Sequence, residues 1–248
     1  MPNTIHIFGF HSLEAILNSK PELILNVFVQ AGRRDRRMQD LLNKLDAQKI
    51  NHSSTDKNTL DKLAKAELHH GVLAEVTQPA FPGQDKLIEN IKHYSINPLI
   101  LILDSIQDPR NLGACLRSAN AAGVDCVVVN KDRSAPINAL VHKTSAGTIN
   151  QTNIFQVTNL ARTIRELQKN GIWVIGLDGL SSNSLYQANL RGPTALVMGS
   201  EGKGLRKLIK TNCDELVSIP MMGNVESLNV SVATGIALFE SRRQRQTN

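Results

Sequence analysis

The sequence predicts an α/β protein in two parts, a small α/β domain followed by a larger one on a mainly parallel sheet, and three observations predict it. From Pro98 onward, apolar runs such as "LILIL" and "TALVM" show no polar alternation, the signature of strands buried on both faces. Helical patterns such as "NLARTIRELQKN" separate these runs, as in a parallel sheet covered on both sides. Ahead of them "TQPAFPGQ" breaks both periods with Pro79 and Pro82 and marks a joint.

In chain order, Ser12 is expected to cap a helix carrying Leu13, Ile16 and Leu17, and "LNVFVQ" alternates as a strand. Met38, Leu41, Leu42 and Leu45 form a helical stripe, and "GVLAEV" closes a first domain over residues 1–76. Residues 77–97 read as a linker with a short helical stretch through Leu87, Ile88 and Ile91. The second domain, residues 98–248, should hold strands at 99–103, 126–129, 172–177, 194–198 and 215–219. In the last helix Ile236 and Phe239 recur at helical spacing and are expected to face the core. Pattern alone implies an ordinary open sheet, because chains rarely thread through their own loops.

No apolar run approaches the roughly 20 residues of a membrane span. Met1-Pro2-Asn3-Thr4 lacks a basic start and an apolar stretch, so a cytoplasmic protein without a membrane partner is expected. Cys115, Cys126 and Cys213 lie far apart without C-x-x-C spacing, which suggests small core residues rather than a disulfide frame or a metal site. With 28 Lys+Arg against 22 Asp+Glu, the net charge of +6 leans towards polyanions. Arg33, Arg34, Arg36 and Arg37 cluster as "RRDRR" where a strand hands over to a helix. A helix N-terminus repels cations, so this cluster calls for an external anion, and Arg33, Arg34 and Arg36 are the candidate RNA contacts. Only 4% of the chain is aromatic, so the cluster is expected to hold phosphates rather than read bases. Arg242, Arg243 and Arg245 end the last helix, where cations complement the dipole. His69 and His70 show no metal spacing and are expected at the surface or facing RNA.

Ligands of parallel sheets bind beyond the carboxyl ends of the strands, so the loops there matter most. Three are polar: "DSIQDPRNLGACLRSANAAG", "GSEGKGLRK" and "PMMGNVESLNVSVA". In the first, Asn111 can cap a helix and Arg117 follows it along the same helix. The second is Gly-rich without the order or spacing of a phosphate-binding fingerprint, and Glu201 within it would repel phosphate and suits a cation or hydroxyl. Its glycines imply positive φ or close approach of a ligand. In the third, Ser227 or Asn229 can cap the last helix.

Taken together, "DPRNLGACLRSANAAG", "ALVMGSEGKGL" and "SIPMMGNVESLNVSVATGIALFE" resemble motifs one, two and three of the SpoU (TrmH-like) family of RNA ribose 2′-O-methyltransferases, over roughly 99–245. Residues 5–76, from "IHIFGFHSLEAIL" to "HHGVLAEV", resemble the substrate-binding domain related to ribosomal protein L30e, with "HHG" where relatives usually have His-Gln-Gly. The resemblance implies a trefoil-knotted α/β methyltransferase domain of the SPOUT class, S-adenosylmethionine as cofactor, no metal, a homodimer, and a guanosine of bacterial large-subunit rRNA as target. It implies main-chain contacts to adenosine from Gly199, Ile219 and Leu228. It assigns Arg117, with Asn111, Glu201, Ser227 and Asn229 around it, to the catalytic centre. Arginine is too weak an acid to serve readily as a base, so a cationic role towards phosphate and developing alkoxide is expected of Arg117.

Overall fold

The computed structural model describes residues 3–64, 68–78, 80–94 and 96–246; Pro79 of the expected joint lies outside them. The chain divides into two compact units, Met1–Ala80 with Ile137–Gln151 and Phe81–Pro136 with Thr152–Asn248.

The first unit runs β1 (Asn3–Phe8), α1 (Phe10–Ser19), β2 (Ile24–Gln30), α2 (Arg36–Ala47), β3 (His52–Thr55), α3 (Lys57–Ala64) and β4 (Val72–Gln78). Its sheet has the order β1-β4-β2-β3, with β4 antiparallel to β1 and β2, and β3 parallel to β2. The stripe of Met38, Leu41 and Leu45 on α2 and that of Leu13, Ile16 and Leu17 on α1 meet Val27, Val29 and Val72 in the core. Ser12 does not cap α1. Gly9, at φ 81, turns the chain three residues earlier, and Ser12 is buried inside the helix. Asp35 caps α2 by accepting a hydrogen bond from the Met38 amide at 3.3 Å, which places "RRDRR" around a helix start as expected. His69 is no surface residue: it is buried, its Nε2 lies 2.8 Å from Asp61, and its Nδ1 accepts from the Gly71 amide.

The second unit opens with α4 (Gln84–Ile91), then β5 (Leu99–Leu103), α5 (Pro109–Ala121) and β6 (Cys126–Asn130). After α6 (Ala139–Thr144), which belongs to the first unit, come β7 (Ile154–Val157), α7 (Leu160–Lys169), β8 (Trp173–Leu177), β9 (Thr194–Met198), α8 (Lys207–Lys210), β10 (Glu215–Val217) and α9 (Val230–Gln246). Six parallel strands form one sheet in the order β10-β8-β9-β5-β6-β7. One face buries Ile100, Ile102, Val128 and Val197 under Ile164 and Leu167 of α7 and Leu87 and Ile91 of α4. The expected linker is therefore partly core of this unit. The other face carries α9 against β9, with α5 packed along α9. Sequence reading had missed β7, a four-residue edge strand, and α6, whose six residues are too few to show a period.

The long connection 178–193 is held from two sides. Leu185 donates to the Ser218 carbonyl and Ser218 to that of Asn183, while from α9 Gln244 donates to Ala188 and Arg245 to Leu190 and Gly192. Residues 219–229 connect those two anchorages, the path that the expected threading requires. Arg242 and Arg245 are thus not a solvated helix end, whereas Arg243, 64% exposed, pairs with Glu240 of its own helix. Arg245 also donates to the Asn97 carbonyl at 2.6 Å, and Arg242 donates to the Ala122 and Gly123 carbonyls at the end of α5. Orphan carbonyls at a helix terminus need donors, and Arg242 supplies them.

Candidate active site

The three polar loops follow β5, β9 and β10, and local chemistry shapes each one. Asp108, not Asn111, caps α5, accepting from the Arg110 amide at 2.7 Å with Pro109 in the first turn. Asn111, in the same turn, is released for other work. Asn229 settles the alternatives for the last helix: its Oδ1 accepts from the Ser231 amide at 2.9 Å and from the Ser231 hydroxyl at 2.6 Å. Ser227 is exposed and makes no hydrogen bond among the described residues.

These positions put one side chain from each loop into a single chain of hydrogen bonds. Asn229 donates through Nδ2 to Asn111 Oδ1 at 3.1 Å, and Asn111 donates through Nδ2 to the Glu201 carboxylate. Glu201 has met neither cation nor hydroxyl but an amide. The direction of the chain is forced from one end: a backbone amide can only donate, so Asn229 must turn its oxygen to Ser231 and its NH2 group to Asn111.

Arg117 lies further along α5. It is exposed and makes no hydrogen bond or ion pair among the described residues. The helix bearing it is fixed along α9 by the Cys115–Thr234 contact at 3.4 Å and by Arg242, so α5 and α9 run in the same direction from the Asn111–Asn229 bond. Burial pushes the Cys115 thiol up to about 11, which keeps it a protonated packing group.

The Gly-rich loop folds back on itself. Ser200 and Gly204 exchange backbone hydrogen bonds, Gly202 and Gly204 sit at φ 72 and 64, and a Cβ on Gly199 would fall 2.2 Å from the Gly204 carbonyl carbon. The close approach at Gly199 is made by its own loop. A pair missed by sequence reading pins this loop. Asp104, fully buried at the end of β5, accepts from Arg206 Nε at 2.7 Å, Nη2 at 2.6 Å and the Arg206 amide at 3.2 Å. An aspartate closing an all-apolar strand was the available signal.

The donor set suits an adenosine. The main-chain amides of Gly199, Ile219 and Leu228, in the loops after β9 and β10, take no protein acceptor among the described residues, and Ile219 and Leu228 add half-buried apolar side chains. Neutral amides beside apolar surface match the edge and faces of a purine. Among the described residues, no group of three or more His, Cys, Asp or Glu side chains could hold a metal ion.

Residues 98–239 match the model of the SpoU rRNA Methylase family. The chain belongs to that family. Residues 6–82 match the SpoU-associated model "RNA 2'-O ribose methyltransferase substrate binding". Among curated SpoU relatives, the chain is 49% identical to the 23S rRNA (guanosine-2'-O-)-methyltransferase RlmB of Pasteurella multocida, over 97% of this chain and 98% of that one. It is 48% identical to the protein of the same name from Haemophilus influenzae, over 96% and 97%. The SpoU methyltransferase AviRb of Streptomyces viridochromogenes, solved in complex with AdoMet, superposes with a TM-score of 0.81 at 21% identity over 99% of this chain and 92% of that one, a likeness of fold.

Proposed function

We propose that this protein methylates the ribose 2′-hydroxyl of a guanosine in bacterial 23S rRNA with S-adenosylmethionine, working in the cytoplasm and without a metal. The full-length likeness to relatives of that activity supports the reading. The observation that carries it to particular residues is the Glu201–Asn111–Asn229 chain, which ties the three loops into one wall. S-adenosylmethionine, when bound, supplies an electrophilic methyl group on a sulfonium.

The residues divide the remaining tasks. The amides of Gly199, Ile219 and Leu228 hold the adenosine edge without placing charge near the sulfonium. Arg117, with its donors unspent, meets the target phosphate and stabilises the oxygen as it gains negative charge. Glu201 keeps one carboxylate oxygen on Asn111 and has the other to orient a ribose hydroxyl; Ser227, exposed beside Leu228, is the remaining polar group for that wall. Arg34 and Arg36, exposed at the start of α2, and Arg33 beside them contact the RNA.

The active form is proposed to be a homodimer. Val232 and Phe239 on α9 are 50% and 52% exposed with half-buried Ile236 between them, so Phe239, expected in the core, instead faces outward in the single chain. An apolar helix face of this kind needs a partner.

The test is methyl transfer to a 23S rRNA transcript, with the modified nucleotide mapped, by the wild type and by Arg117→Ala. The expected outcome is a ribose-methylated guanosine, and a loss of about 100- to 1,000-fold in rate for the variant with S-adenosylmethionine affinity by calorimetry unchanged. Binding should persist in EDTA. Near wild-type turnover by Arg117→Ala would remove it from the catalytic centre.

A further inference from the structure

The four arginines of "RRDRR" are not equivalent. Arg33 and Arg37 both lie over the ring of Phe10, with guanidinium carbons 5.0 and 4.5 Å from its centroid. Phe10 itself is only 3% exposed, a fixed apolar floor at the start of α1. The expectation of a cluster without an aromatic partner is therefore corrected: the partner is remote in sequence and adjacent in space.

Each guanidinium of this pair is held by contacts along part of its edge. Arg33 donates through Nε to the Asp35 carboxylate and through Nη1 to the His70 carbonyl. Arg37 lies 3.7 Å from Glu14 and 3.4 Å from the His11 ring. Their side chains nevertheless keep 30% and 45% of their surface open to solvent. A guanidinium held over a buried ring by part of its edge, with surface still exposed, offers a flat cationic face. Arg34 and Arg36 differ: both are exposed and make no side-chain hydrogen bond or ion pair among the described residues.

We propose that the Arg33–Phe10–Arg37 group is a stacking platform for an unpaired base of the RNA substrate, while Arg34 and Arg36 hold phosphates. Unstacked RNA bases are commonly received on guanidinium planes as well as on aromatic rings. Free guanidinium edges, by contrast, suit phosphate oxygens. The His11 ring and the His70 carbonyl border the platform, and the latter is presented by a turn in which His70 has φ 50 and Gly71 φ 73. The inference rests on the reading of this protein as an RNA methyltransferase and adds to it a base contact made by the first unit.

Charge-conserving substitution separates the two roles. Arg37→Lys keeps the charge and loses the plane, so affinity for a 23S rRNA transcript should fall about tenfold, with the salt dependence of binding unchanged. Affinity for heparin, a polyanion without bases, should stay as in the wild type. Arg33→Lys should behave alike, read beside its melting curve because Arg33 also holds the His70 turn. The double variant Arg34→Ala/Arg36→Ala should weaken both ligands and reduce the salt slope by about 1.4 to 1.8. Equal affinity of Arg37→Lys and wild type for the transcript, or equal losses on transcript and heparin, would overturn the platform. If the wild type neither bound nor methylated the transcript, the functional reading itself would fail instead.

Discussion

His142 shows how a single side chain couples this fold to pH. It is buried in α6, its Nε2 has no hydrogen-bond partner among the described residues, and burial holds its imidazole down to about 4. An unfolded histidine titrates near 6.5. Above that pH neither state carries the proton and His142 is silent. As the pH falls from 6.5 towards 4 the unfolded chain takes the proton first, so stability is lost across that window. Between pH 7 and pH 5 the loss should be about 2 kcal/mol. Urea unfolding of the first unit at the two pH values will show it, and His142→Leu should flatten the difference; a wild type that loses no more than this variant would refute the argument. Nothing in "VHKTSAG" announces a buried histidine, since burial is decided by packing between segments distant in the chain. Arg117, Glu201 and Asn229 could be singled out because their motifs are local, whereas Asp61 as the partner of His69 could not.

At the scale of elements, the start of α9 serves as helix cap and as active-site wall, and the two duties can be pulled apart. Asn229→Asp keeps an oxygen for the Ser231 donors and places a favourable negative charge at a helix N-terminus, so the melting temperature should hold or rise. Aspartate cannot donate to Asn111, however, and either orientation of the Asn111 amide then sets two acceptors against each other. Methylation should drop about tenfold or more. A variant as active as wild type would reduce Asn229 to a cap. The clamp between β5 and the Gly-rich loop invites a second test. Asp104→Asn leaves Arg206 without its buried counter-charge and should cost about 3 kcal/mol in thermal or chemical unfolding. A loss below about 1 kcal/mol would mean that solvent at the 35% exposed Arg206 side chain has already screened the pair. Five of the six strands of the large sheet were legible because they stand out as short apolar runs. The caps were read less well: Ser12 and Asn111 are good capping residues, but Gly9 and Asp108 sit where the chain actually turns.

For the whole molecule, the outward stripe of Val232, Ile236 and Phe239 predicts that the wild type scatters light as a dimer at micromolar concentration. Phe239→Glu should shift it towards the monomer, because a charge at the centre of an apolar interface loses its hydration without gaining a partner. A wild-type monomer, or a Phe239→Glu dimer of unchanged affinity, would leave the stripe without this explanation. No described helix is long and apolar enough to cross a membrane. By itself the sequence determined the α/β class, the six-stranded sheet apart from its edge strand β7, the family, and the three loops that carry the chemistry. Hydrophobic period and motif spacing are properties of neighbouring residues, and they survive in a linear reading. Tertiary structure alone decided that α6 joins the first unit, that Arg242 and Arg245 are tethers, that Phe10 lies under Arg33 and Arg37, and that one hydrogen-bond chain runs from Ser231 to Glu201. Each of these joins residues far apart in the chain, and the pairing is set by which surfaces remain to be covered once the local elements have formed.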